Sequence, residues 1–153
     1  YLVPISLEPA DEKKRPRTDY HGRFSLQYSL GAALYFGRLG VEACEDKYIK
    51  NPDILAQVDK VTYEIDKNAP STRQFKGWIK IETSDGRKLE KIVDYNWGSK
   101  ENPMTPADIE RKFRENALLM LPENQVAEII EKVHGLEKLK NIRELIPPCV
   151  VQK

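Results

Sequence analysis

The sequence predicts an α+β fold, with a small antiparallel sheet of three to four strands packed by helices and followed by C-terminal helices. Three observations lead there. Apolar residues recur at helical spacing on both sides of a stretch that alternates with period two. Within that stretch Ser84-Asp85-Gly86 separates two runs rich in Ile, Leu, Val and Trp, as a hairpin turn would. Capping or turn residues stand at the ends of the helical runs.

In chain order, "YLVPISLEP" alternates Val3, Ile5 and Leu7, a short strand that Pro4 would confine to an edge or bulge. "ADEKKRPRTDYHG" is polar, charged and broken by Pro16, which predicts a solvated loop. In "RFSLQYSLGAALYFG", Phe24, Tyr28 and Ala32 stand four apart, as do Leu26, Leu30 and Leu34, giving a broadly apolar helix over 25–36. Gly31, Ala32 and Ala33 lack bulk, so another element can approach closely, and Gly37 and Gly40 end the helix. "VEACEDKYIK" fits a shorter helix. "NPDILAQVDKV" fits another, with Asn51 as N-cap and Pro52 at its first position. Val61, Tyr63 and Ile65 alternate as a half-buried strand, and residues 67–75 form a loop.

The register of the hairpin at 77–96 can be derived. With Ser84, Asp85 and a left-handed Gly86 as a three-residue loop, Thr83 faces Arg87, Glu82 faces Lys88, Ile81 faces Leu89 and Lys80 faces Glu90. A two-residue Asp85-Gly86 turn would set Lys80 against Lys91 and Ile81 against Glu90, so the longer loop is favoured. After it, "ENPMTPADIERKF" places Thr105 as cap, Pro106 in the first turn and Asp108 as the return half of a near capping box. Ile109, Phe113, Ala117 and Met120 continue an apolar stripe. Val126, Ile129, Ile130 and Val133 form a second one, stopped by Gly135, and a last short helix runs through Leu136, Leu139, Ile142 and Leu145.

Composition limits the partners. The chain has 153 residues, 40% hydrophobic and 32% charged, which suits a soluble globular class. Its 25 basic and 24 acidic side chains leave a net charge of +1, giving no electrostatic reason to expect nucleic acid or a membrane. No apolar run has transmembrane length, and no signal peptide opens the sequence. Cys44 and Cys149 have no metal-ligand spacing, so a reducing cytoplasm is the expectation. Tyr1 stands where an initiator methionine would, and the chain is read as part of a longer one.

Chemistry-bearing residues are few. His134 ends a helix, where an imidazolium suits the dipole. His21, before the 25–36 helix, is the better functional candidate of the two histidines. Arg23 stands at the start of that helix, where backbone N–H groups favour an anion. With Tyr20 and Ser25 it can hold a carboxylate; the alternative is structural pairing with an acid such as Asp19. Trp78 and Trp97 read as packing residues and Cys44 as a small buried one. No metal site, Gly-rich phosphate loop or complete catalytic set can be assembled from these residues.

Two motifs together resemble the C-terminal part of the MmgE/PrpD family. The first is Gly22, Arg23, Phe24, Ser25, Leu26 and Tyr28, followed by Ala32, Ala33, Leu34 and Gly37. The second is Asp85-Gly86, then Asn102, Pro103, Met104 and Thr105 ahead of Lys112 and Phe113. The resemblance runs from about Gly22 to Ile146 in the same order. It implies a small α+β lid over 1–100 and, over 101–153, helices returning to an all-helical domain that would precede Tyr1. That domain would carry the catalytic His, Lys and Asp residues, and the lid would offer a substrate-facing tyrosine from the loop that holds Tyr20. Many relatives have Lys where Arg23 stands, which suggests substrate anchoring or structural pairing. The resemblance further implies a cytoplasmic homodimer and proton abstraction from a small polycarboxylic acid with elimination, without metal or organic cofactor. Dehydration of 2-methylcitrate is the first expectation, decarboxylation of cis-aconitate or epimerisation the alternative. A non-catalytic interaction module with the borrowed fold is the rival.

Overall fold

The computed structural model describes residues 3–66 and 75–151. The chain divides into two compact units, Tyr1–Thr72 and Arg73–Lys153. The expected mixed class is found, with helices around a small antiparallel sheet. Among the described residues that sheet has two strands, not three or four.

The first unit is helical. Helices α1 (Val3–Ser6), α2 (Ala10–Lys14) and α3 (Asp19–Arg23) lead to α4 (Leu26–Phe36). A 3-10 turn at Val41–Cys44 precedes α5 (Asp46–Ile49) and α6 (Pro52–Asp59). Helix α4 starts one residue after the expected 25, with the Ser25 hydroxyl as its cap accepting from the Tyr28 N–H, and ends as expected at Gly37, with φ +74°. Asn51 caps α6 by accepting from the N–H groups of Asp53 and Ile54. Tyr28, Ala32, Ala43, Ile49, Ile54 and Val58 form the core. Tyr28 is fully buried, and its hydroxyl donates to the Ala43 carbonyl at 2.6 Å. Burial, with Cys44 beside it, raises its pKa to about 12.

Three expectations for this unit are corrected. The opening alternation is a helical turn, not a strand. Its carbonyls are taken by side chains, Ile5 by Lys13 Nζ and Leu7 by Gln27 Nε2, so they need no neighbouring strand. The charged stretch at 10–22 is two helices, not a loop. Asp11 and Glu12 begin α2 and Lys13 and Lys14 end it, complementing the helix dipole, while Thr18 caps α3 by accepting from the His21 N–H. Residues 61–66 have no regular structure, so the expected strand there is absent. The loop expected at 67–75 lies, except for Phe75, outside the described residues.

In the second unit β1 (Gly77–Glu82) pairs antiparallel with β2 (Lys88–Val93) in the derived register. Lys80 lies opposite Glu90, Ile81 opposite Leu89 and Glu82 opposite Lys88. Gly86 has φ +84°, and its N–H donates to the Thr83 carbonyl at 2.9 Å. Trp78 and Trp97 are half-exposed and not packed inside. Lys80 Nζ lies 4.5 Å from the Trp78 ring centre, and the Arg111 guanidinium 5.5 Å from that of Trp97.

The stretch between hairpin and helices is held by Asn102, which donates from Nδ2 to the Tyr95 carbonyl at 3.1 Å and accepts the Gly98 N–H at 2.8 Å. Thr105 and Asp108 complete a capping box for α7 (Pro106–Ala117). The motif therefore supplies geometry. Helix α8 (Glu123–His134) follows and ends at Gly135; short 3-10 turns run on to Cys149 in place of one last helix. Val126 and Ile129 are buried, whereas Ile109 and Met120 are exposed. No helix among the described residues is long and apolar enough to cross a membrane.

Candidate functional site

The four residues singled out by sequence lie within one short stretch, where α3 passes into α4. Arg23 is the last residue of α3, followed by Phe24 as its C-cap and Ser25 as the N-cap of α4. The guanidinium is therefore presented from the C-terminal end of α3, where the chain turns into α4, and not, as expected, from the N-terminus of α4 with its free N–H groups.

Arg23 lines an open hollow of about 430 Å³ with Asp19, Val41, Cys44, Glu45 and Asp46. One arginine and three acidic residues thus line it, with Glu45 paired to Lys47 at 2.8 Å. The nearest is Asp19, with Arg23 Nη2 to Oδ2 at 3.5 Å and both side chains more than half exposed. Such an exposed, long pair is worth roughly 0–1 kcal/mol, and a better carboxylate ligand can displace it. Burial raises the Cys44 pKa; Arg23 opposes the shift and Asp19 adds to it. A thiol held in its neutral form is a poor nucleophile at neutral pH. Cys44 is half-buried, not fully buried as expected.

Tyr20 is exposed, and its ring rests against Phe24 with centres 5.0 Å apart. His21 is half-buried, and its Nδ1 accepts a long hydrogen bond, 3.5 Å, from the Arg17 N–H. The Ser25 hydroxyl is buried. It donates to the Lys13 carbonyl at 2.5 Å while accepting from the Tyr28 N–H at 3.0 Å. Of the four, only Arg23 lines the hollow. Ser25 fixes the turn beneath it.

Sequence reasoning overlooked Glu45 and Asp46 as neighbours of Arg23, because a chain turn brings them from more than twenty positions away. Asp19 was legible as a nearby acid, but not as standing one helical turn before Arg23, since a loop was expected there. Lys13 was also missed, hidden in a run that reads as solvated. Among the described residues no cluster of three or more His, Cys, Asp and Glu side chains is arranged to hold a metal ion.

The MmgE/PrpD C-terminal domain matches residues 4–138, and the chain belongs to that family. It is similar to the cis-aconitate decarboxylase of Homo sapiens, 30% identical over 127 residues, covering 82% of this chain and 26% of the relative. The Mus musculus cis-aconitate decarboxylase is 29% identical over the same shares. That of Aspergillus terreus is 28% identical over 142 residues, 88% of this chain and 28% of the relative. The chain spans about a quarter of the length of these curated relatives.

Proposed function

We propose that this chain is the C-terminal, substrate-covering part of an MmgE/PrpD-type lyase acting on a small polycarboxylic acid. Between the two eliminations expected from the sequence, the likeness to three cis-aconitate decarboxylases supports loss of carbon dioxide over loss of water. That likeness, spanning 82% or more of the chain, carries the reading.

In this reading residues 1–100 cover the substrate and residues 101–153 return to a helical domain that supplies the acid–base groups; the enzyme works as a homodimer. Arg23 leaves Asp19 and takes one carboxylate of the substrate through its paired N–H donors. Tyr20 and the Nε2 side of His21 stand on the same short helix as hydrogen-bond donors toward the substrate. When the scissile carboxylate departs as carbon dioxide, its bonding electrons form a new double bond to the neighbouring carbon, and the electron pair of the old double bond takes up a proton at the far carbon. Closure over the site excludes water, which strengthens the Arg23–carboxylate attraction.

The test is product analysis with the intact protein given cis-aconitate and 2-methylcitrate in parallel. Carbon dioxide released from cis-aconitate supports the decarboxylase reading. Dehydration of 2-methylcitrate without it moves the assignment to a hydro-lyase, and inertness toward both favours the interaction module.

A further inference from the structure

We infer that Lys13 is a positioning residue for Arg23, a buried ammonium that fixes the turn from which the guanidinium is presented. The inference rests on the reading of Arg23 as the carboxylate anchor.

Lysine is almost never fully buried unless paired, yet Lys13 is only 7% exposed. Among the described residues its hydrogen-bond partners are backbone carbonyls and no carboxylate. Nζ donates to the Phe24 carbonyl at 2.8 Å and to the Ile5 carbonyl. The carbonyl of Lys13 itself accepts from the Ser25 hydroxyl at 2.5 Å. Lys13 therefore grips two consecutive residues, Phe24 through its ammonium and Ser25 through its backbone.

Those two residues set the geometry of everything proposed for the site. Phe24 follows Arg23 directly and supports the Tyr20 ring. Ser25 caps α4 at the Tyr28 N–H. Gln27 Nε2 adds a bond to the Leu7 carbonyl at 2.9 Å, tying the same opening segment that Lys13 holds at Ile5. A charged donor makes stronger bonds to carbonyls than a neutral one, so one ammonium can hold the segment and the turn together. Its removal leaves two carbonyls short of a donor and frees the backbone on the C-terminal side of Arg23.

The experiment compares Lys13→Met with wild type and Arg15→Met in the intact protein. Met keeps the length of the side chain and removes its charge. Arg15→Met removes a nearby cation that binds Asp59 outside the clamp. Two quantities are read: deuterium exchange over residues 24–29, and KM and kcat on cis-aconitate. Lys13→Met is expected to speed exchange over 24–29 and raise KM about tenfold, the size of one lost charged hydrogen bond, with kcat within about twofold. Arg15→Met leaves both unchanged. Unaltered exchange at 24–29, or faster exchange with an unaltered KM, overturns the inference. If Lys13→Met does not fold, Ser25→Ala removes the other grip and must raise KM in the same way. If wild-type protein acts on neither cis-aconitate nor 2-methylcitrate, the polycarboxylate reading fails by itself, while unaltered exchange in Lys13→Met still overturns the clamp.

Discussion

Gly31 and Val58 meet where α4 packs on α6, so closely that a Cβ on Gly31 would lie 2.4 Å from Val58 Cγ2 and 2.9 Å from the Val58 backbone nitrogen. The second contact is with backbone, which a rotamer change cannot relieve. Gly31→Ala should therefore destabilise the first unit by about 1–3 kcal/mol, as overpacking does, despite the gain in helix propensity. Urea denaturation checks this; a stability equal to or above wild type would show that the helices can move apart freely.

The hairpin turn depends on Gly86 for a different reason. At φ +84° nothing lies within 4 Å of where its Cβ would be, so a side chain there meets only backbone strain. Gly86→Val should weaken the hairpin by about 1–2 kcal/mol, and Gly86→Asn by less, since Asn tolerates the left-handed region. Amide exchange of residues 77–93 reports the change, and equal protection in both variants would contradict it.

How legible these features were depends on how local their cause is. The hairpin register, the Asn51 and Thr105 caps and the Gly37 stop depend on residues within a few positions, and the sequence shows them. The opening segment does not reveal itself, because its carbonyls are satisfied by Lys13 and Gln27, side chains from other helices. Val61, Tyr63 and Ile65 alternate like a strand, yet a strand needs a pairing edge, and their own sequence does not provide one. At the candidate site the same rule holds. Arg23 and Asp19 are readable as neighbouring opposite charges, while Glu45, Asp46 and the Lys13 clamp depend on tertiary packing.

Tyr28 ties the core to an alkaline pH limit. Its hydroxyl ionises near pH 10 in an unfolded chain and near 12 in the folded one. Between those values the unfolded state has lost the proton that the native state retains, so stability falls as pH rises. Below pH 10 the contribution is fully present. Tyr28→Phe should lower stability at neutral pH by about 1–3 kcal/mol, because the Ala43 carbonyl loses its donor. The difference between wild type and variant should then shrink from pH 10 to 12. A constant difference over that range in thermal melts would remove Tyr28 as its source.

Asp19 competes with any carboxylate for Arg23. Asp19→Asn keeps the shape of the side chain, frees the guanidinium and reduces the negative charge of the hollow from three carboxylates to two. KM for cis-aconitate should fall by up to about fivefold, the range of an exposed ion pair. An unchanged or higher KM would mark Asp19 as a support for Arg23 and not its competitor.

Anchoring of a polycarboxylate at the turn beside Arg23 stands or falls with Arg23→Ala. Steady-state kinetics on cis-aconitate and thermal melting are measured on the same preparation of the intact protein. A loss in kcat/KM of about 1.5–3 kcal/mol is expected, as for a charged hydrogen bond removed, with little change in Tm because the Asp19 pair is exposed and weak. A lowered Tm with unchanged kinetic constants would contradict it and leave Arg23 as part of the scaffold.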